Sequence, residues 1–225
     1  MTVGIVKPEP LAERGRAAPA ASAPPARRRD GRRRLLEGAL ALLAERGYAA
    51  MELRDVAVRG DAPRGSIYHH FPGGKSQLAA EAATLEGERV RQTIERSLAE
   101  RGLRETLLMF GEIFRRRAAD HPDRIGCPVA AAALARPEDP ALAAAAAAAF
   151  RSWEEAIATA LRAEGVAAKQ AAPFAALVVS TIEGALVRAR AAGDHAPLDD
   201  AVAGLAQALD ALLAGAKPRR ARRSA

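Results

Sequence analysis

Leu35, Ala39, Leu42 and Leu43 fall on one face of a helix that the spacing places at roughly residues 31–46. Gly47 is its natural stop, since a left-handed C-terminal residue costs glycine nothing. Leu53, Val56 and Ala57 mark the apolar side of a short second helix ending near Arg59. Gly60-Asp61-Ala62 reads as a tight turn, with Asp61 the best capping side chain for the next helix. Pro63 suits the first position of that third helix, over 63–70, ended by "FPGG". A fourth helix is expected from about Gly74 to Arg101. Beyond it, Leu103, Leu107, Phe110 and Phe114 form an apolar stripe. Pro128 opens a short helix that Pro137 and Pro140 break. Three longer helices come after it, stopped by Gly165, Gly193 and Gly215. The chain carries no solenoid-type repeat.

Composition strengthens the helical reading. Alanine, the best helix former, is abundant, while β-branched and aromatic residues are few. An all-α fold of about nine helices is expected. Cys127 is the only cysteine, which excludes an intrachain disulfide and suits a reducing compartment. No apolar run reaches ~18 residues, and no signal-peptide stretch is evident, so a cytoplasmic protein without a membrane span is expected. Charge divides the chain. Residues 1–34 carry +6 and residues 215–225 carry +5, which leaves the other 180 residues at −4 against a total of +7. The basic character therefore sits in two tails, 1–30 (expected to be disordered) and 215–225, either of which could lie along phosphates.

Helix, short helix, glycine-containing turn and short helix is the plan of a helix-turn-helix unit, here over 31–78. In that plan the second short helix enters the DNA major groove. Arg64 could pair bidentately with a guanine edge. Gly65 would let the backbone come close, and Ser66, Tyr68 and His69 lie on the same short helix, with Tyr68 and His69 able to donate to phosphates. Lys75, at the start of the fourth helix, and Arg54, on the second, could add phosphate contacts. His70 is expected to support the turn. Adjacent His69 and His70 point about 100° apart on a helix and cannot share a metal ion. No nucleophile-elbow or phosphate-loop pattern is present, so neither a metal, a cofactor nor an enzyme is expected. The position of Cys127 before a helix could lower its pKa, though a buried apolar role is the simpler expectation.

The run "GYAAMELRDVAVRGDAPRGSIYHHFPGGKSQL" closely resembles the DNA-binding domain of TetR-type transcriptional regulators. Its ending "HHFPGGK", with "GCPVAAAAL", "AFRSWEEAIATAL" and "IEGALVRARAAGDHAPLD" further on, resembles the LmrA/YxaF branch. The resemblance covers about residues 31–214. It implies a nine-helix protomer with a ligand-binding and dimerisation domain over 79–214. Met51 and Glu52 depart from it, for a Thr or Ser cap is usual where Met51 stands. Gly60-Asp61 departs too, where Ala-Gly is usual.

The resemblance places an effector pocket among the middle helices, with Met109, Phe110, Phe114, Cys127, Phe150, Trp153, Phe174 and Val178 as candidate walls. Such walls suit a small apolar ligand, flat or aromatic. The last two helices offer broad apolar faces, Leu177, Ile182, Ala185 and Leu186 on one and Val202, Leu205, Leu209 and Leu212 on the other. Paired across a twofold axis they would make a four-helix bundle and a homodimer. The expected function is a ligand-released repressor on a near-palindromic double-stranded operator. A constitutive or architectural DNA-binding protein, and an enzyme on a helical scaffold, are the alternatives.

Overall fold

The computed structural model describes residues 25–63, 65–120 and 126–216. They form eight helices and no strand: α1 (Pro25–Arg46), α2 (Leu53–Arg59), α3 (Ser66–His70), α4 (Gly74–Asp120), α5 (Pro128–Leu134), α6 (Pro140–Ala163), α7 (Ala168–Ala192) and α8 (Ala196–Ala214). Helices α1–α3 and the start of α4 make a head. Helix α4 then packs on α6, α6 on α7 and α7 on α8, which also returns to α4. One apolar core runs without a break from Leu35 and Phe71 in the head to Trp153 and Leu209 in the body.

The expected nine helical segments are recovered among the described residues, because α4 is two helices meeting at a kink. The fourth and fifth expected helices run on either side of Gly102, where the backbone is non-helical (φ 82°, ψ −179°) and the chain kinks. That backbone conformation is essentially restricted to glycine. Thr106 braces the joint, with its hydroxyl donating to the Gly102 carbonyl at 2.7 Å and lying 2.9 Å from the Ser97 hydroxyl. No atom stands within 4 Å of where a Gly102 Cβ would lie. Gly102→Ala is therefore expected to destabilise through backbone strain alone, by about 1–3 kcal/mol, read as a lowered midpoint in denaturant unfolding.

Two local expectations are corrected. Helix α1 begins at Pro25 rather than Gly31, so the boundary expected at residue 30 falls inside a helix. Helix α3 begins at Ser66, with Gly65 as its cap, rather than at Pro63. Met51 is no cap but a core residue with no exposure; Glu52 caps α2 by position and makes no side-chain capping bond. The unusual turn is accommodated. Asp61 takes the left-handed conformation at φ 44°, and Gly60 permits a close crossing, since a Cβ there would lie 2.7 Å from the Arg34 carbonyl oxygen of α1.

The expected dimer residues mostly face inward. Ala185, Leu186, Val202, Leu205 and Leu209 are buried within one protomer, and Ile182 and Leu212 are partly buried. The most apolar faces of α7 and α8 pack on each other, and α7 also packs on α6 and α8 on α4. Of the eight, only Leu177 is well exposed, at 49%. Against the expectation of no span-length apolar run, α7 is long and apolar enough to cross a membrane by length and composition alone, with only 28% of its most apolar window buried.

Candidate nucleic-acid interface and internal cavity

The head displays α3 on its surface. Ile67 and Phe71 anchor it, at 2% and 0% exposure, and the Arg32 guanidinium lies 5.0 Å over the Phe71 ring. Tyr68, between the anchors, is 63% exposed. His69 is exposed as well, edge-on to His70 at 5.1 Å. His70 is half-buried and edge-on to Phe71, consistent with support of the turn. Gly65 is exposed, with open space where its Cβ would stand. Arg64 lies outside the described residues.

Three of the expected contact residues already have partners. The Ser66 hydroxyl donates to the Pro63 carbonyl at 2.6 Å. Arg54 is exposed but pairs with Glu52 at 2.9 Å and lies 3.6 Å from Asp55. Lys75 is turned inward: its ammonium donates to the Ala49 carbonyl at 3.2 Å and sits 4.3 Å over the Tyr48 ring. In this arrangement it clamps the start of α4 to the loop between α1 and α2.

Several contacts tie head to body. The Tyr48 hydroxyl donates to Asp139 at 2.9 Å, and the other Asp139 oxygen caps α6 by accepting from the Leu142 amide at 3.0 Å. Burial, reinforced by Asp139, pushes the Tyr48 hydroxyl up to about 12. Burial also acts to raise Asp139, but bonds from Ser76, the Leu142 amide and Tyr48 outweigh it and hold the carboxyl below its usual range. Arg190, near the end of α7, donates to the carbonyls of Ala44, at 2.6 Å, and Glu45 at the end of α1. Arg89 of α4 pairs bidentately with Glu37 of α1, 3.0 Å for one arm. That hydrogen bond holds the Glu37 carboxyl below its usual range.

The body encloses a cavity of about 280 Å³ between α4, α6, α7 and α8. Phe110, Phe114, Cys127, Trp153, Phe174 and Val178, which the resemblance assigns to an effector pocket, line this cavity. Met109 and Phe150 do not. Phe150 stands behind Trp153, edge-on at 5.2 Å, and the indole is fixed by donation to the Gly87 carbonyl at 2.8 Å. Ile182 and Leu209, expected at a dimer face, belong to the cavity wall instead.

Sequence reasoning missed the polar part of this wall: Glu86, Arg89, Thr93, Thr106 and Glu183. For Glu183 a signal was present, a lone acid inside the apolar run "LVVSTIEGALV". Burial pushes its carboxyl up to about 7, an effect reduced by the Cys127 thiol beside it. Cys127 is held well above its ordinary value by burial and by Glu183, so the thiol stays protonated rather than activated. Among the described residues no group of three or more potential metal ligands occurs.

Residues 35–82 match the model for bacterial regulatory proteins of the tetR family, and residues 104–203 match the LmrA/YxaF-like transcriptional regulator C-terminal domain. An HTH-type transcriptional regulator of Mycobacterium tuberculosis is 38% identical over 175 residues, spanning 75% of this chain and 88% of that protein. The HTH-type regulator YxaF of Bacillus subtilis is 32% identical over 177 residues, spanning 76% and 91%. A TetR transcriptional regulator from Legionella pneumophila shares the fold with a TM-score of 0.70 at 21% identity, over 78% of this chain and 95% of its own. One from Chloroflexus aurantiacus gives 0.66 at 29% identity, over 82% and 96%.

Proposed function

The chain belongs to the TetR family of bacterial transcriptional regulators, and on that premise we propose that it is a homodimeric, operator-binding repressor released from DNA when a small molecule fills its cavity. The observation that carries this reading is the path of α4. The helix starts beside α3 at Gly74 and lines the cavity from Glu86 onward, on both sides of the Gly102 joint. Its first segment, before the Gly102 kink, thus reaches from the head to the cavity wall at Glu86 to Leu98.

Tyr68, His69 and the Gly65 backbone make the groove-facing surface, with Arg54 reaching phosphate if it leaves Glu52. Lys75 orders the head rather than contacting phosphate. Release is a population shift, in which ligand favours conformers whose two heads no longer fit successive major grooves. Arg89 is suited to transmit it, because it lines the cavity and grips Glu37 of α1. A ligand that moves Arg89 loosens one tether of the head.

The dimer face on this reading is the outward side of α7 and α8. Leu177, Ser180, Gly184 and Val187 recur on α7 and Ala203, Gly204, Gln207, Ala208 and Ala211 on α8, and most of them are exposed. Val187 is 63% exposed, unusual for an apolar residue on so apolar a helix. Small residues let two helix pairs approach closely across a twofold axis.

Selection of bound DNA from a random pool tests the proposal. Enrichment of a near-palindrome with half-sites about one helical turn apart, or slightly more, is the expected result; enrichment of single, unpaired sites would refute the dimeric reading. The basic C-terminal segment adds a second expectation. Removing residues 217–225, which contain five Lys/Arg, should weaken non-specific DNA binding and flatten its salt dependence while leaving operator preference in place.

A further inference from the structure

Glu183 is costly where it stands. It lies among Phe114, Phe174 and Ile182 in the cavity wall, and its Oε2 is buried with no hydrogen-bond partner among the described residues. An unsatisfied buried acceptor typically costs about 1–3 kcal/mol, and an apolar residue of similar size would avoid that cost. Among the described residues, the groups around it offer no unengaged cation. From the start of α5 comes the neutral Cys127 thiol. From α4 come Glu86 and Arg89, but the Arg89 guanidinium is already held by Glu37 and has Glu86 3.8 Å away. From α6 comes Trp153, whose only donor is bonded to the Gly87 carbonyl. The cavity therefore presents an unpaired acceptor and, once the carboxyl ionises, an anion on a wall whose Arg89 is already engaged by Glu37.

We propose that the cavity takes a lipophilic monocation, an apolar body bearing one ammonium group whose N–H bonds Oε2 of Glu183. The inference rests on the reading of this cavity as the effector site. An ammonium satisfies the unpaired oxygen and supplies a cation that the engaged Arg89 does not offer it, and a charge-assisted bond is about twice as strong as a neutral one. A neutral alcohol could donate the bond without the charge. A carboxylate would meet repulsion. The aromatic wall contributes further, because ring faces attract cations.

The test uses the full chain and its own reporter, since Trp153 is the only tryptophan and lines the cavity. Phenylbutylamine, phenylbutanol and phenylbutyrate, alike in body and different in head, are titrated at neutral pH against tryptophan fluorescence. The amine should bind on the order of tenfold tighter than the alcohol, with the acid weakest. Glu183→Gln should bring the amine to the level of the alcohol and leave the alcohol unchanged. An amine no tighter than the alcohol in the unaltered protein overturns the inference, without recourse to any variant, while the cavity stands as a binding site. If none of the three binds, the inference fails together with the effector reading. If the amine is preferred yet operator affinity does not change, the inference stands and ligand-driven release fails.

Discussion

Tyr68→Ala is expected to reduce operator affinity on the order of a hundredfold while leaving the fold intact. The side chain is 63% exposed between two buried anchors, so its removal takes nothing from the core; exposed substitutions of this kind usually stay within about 0.5 kcal/mol of the parent stability. Each lost contact to DNA is typically worth about 1–3 kcal/mol, and a symmetric dimer loses it twice. Fluorescence anisotropy with the selected operator reads the affinity, and thermal unfolding controls for the fold. Unchanged affinity would remove α3 from the interface. Ile67→Ala and Phe71→Ala provide the contrast, since both should destabilise the head, by about 2–5 kcal/mol each, and lose DNA binding only through unfolding.

Glu183→Gln is expected to change the pH dependence of stability. The folded chain holds this proton up to about 7, whereas the unfolded chain releases it near the ordinary 4.5. The native state therefore binds more protons between those values. The stability associated with that neutral carboxyl is full below about 4.5 and is lost as pH rises through about 7. Glutamine never ionises, so the variant escapes the loss. It should gain on the parent between mildly acidic and mildly alkaline pH by roughly 2–3 kcal/mol, from the size of the shift. Denaturant unfolding of both proteins at the two pH values measures it. A stability difference that is the same at both ends would mean that the carboxyl is solvated or paired.

The helices from α5 to α8 were legible because proline opens and glycine closes most of them, as Pro128, Pro140, Gly165 and Gly193 illustrate. The head was legible through its turn. The missed details lie in packing. The sequence marks Leu205 and Leu209 as apolar on the right face of α8, but cannot say whether that face meets α4 or a second chain. The structure puts it against the protomer's own core and leaves an Ala- and Gly-rich side outside. Lys75 carries the charge expected of a phosphate ligand, yet its reach from α4 brings it onto Tyr48. Gly102 reads as a helix stop, and the backbone is indeed non-helical there, so two helices meet at a kink. Glu183 was overlooked because an acid amid apolar residues reads as an exposed position until its side chain is placed.

The central claim is that cavity and operator oppose each other through α4. Linkage requires the effect to be reciprocal: a ligand that weakens operator binding must itself be bound less tightly by the DNA complex, by the same factor. The direct measurement is operator affinity with the cavity saturated, saturation being followed by Trp153 fluorescence with whichever phenylbutyl probe binds best. The predicted result is operator binding weakened at least about tenfold, within the usual range of coupling, and probe binding weakened equally by operator. A fully occupied cavity with operator affinity unchanged would contradict it.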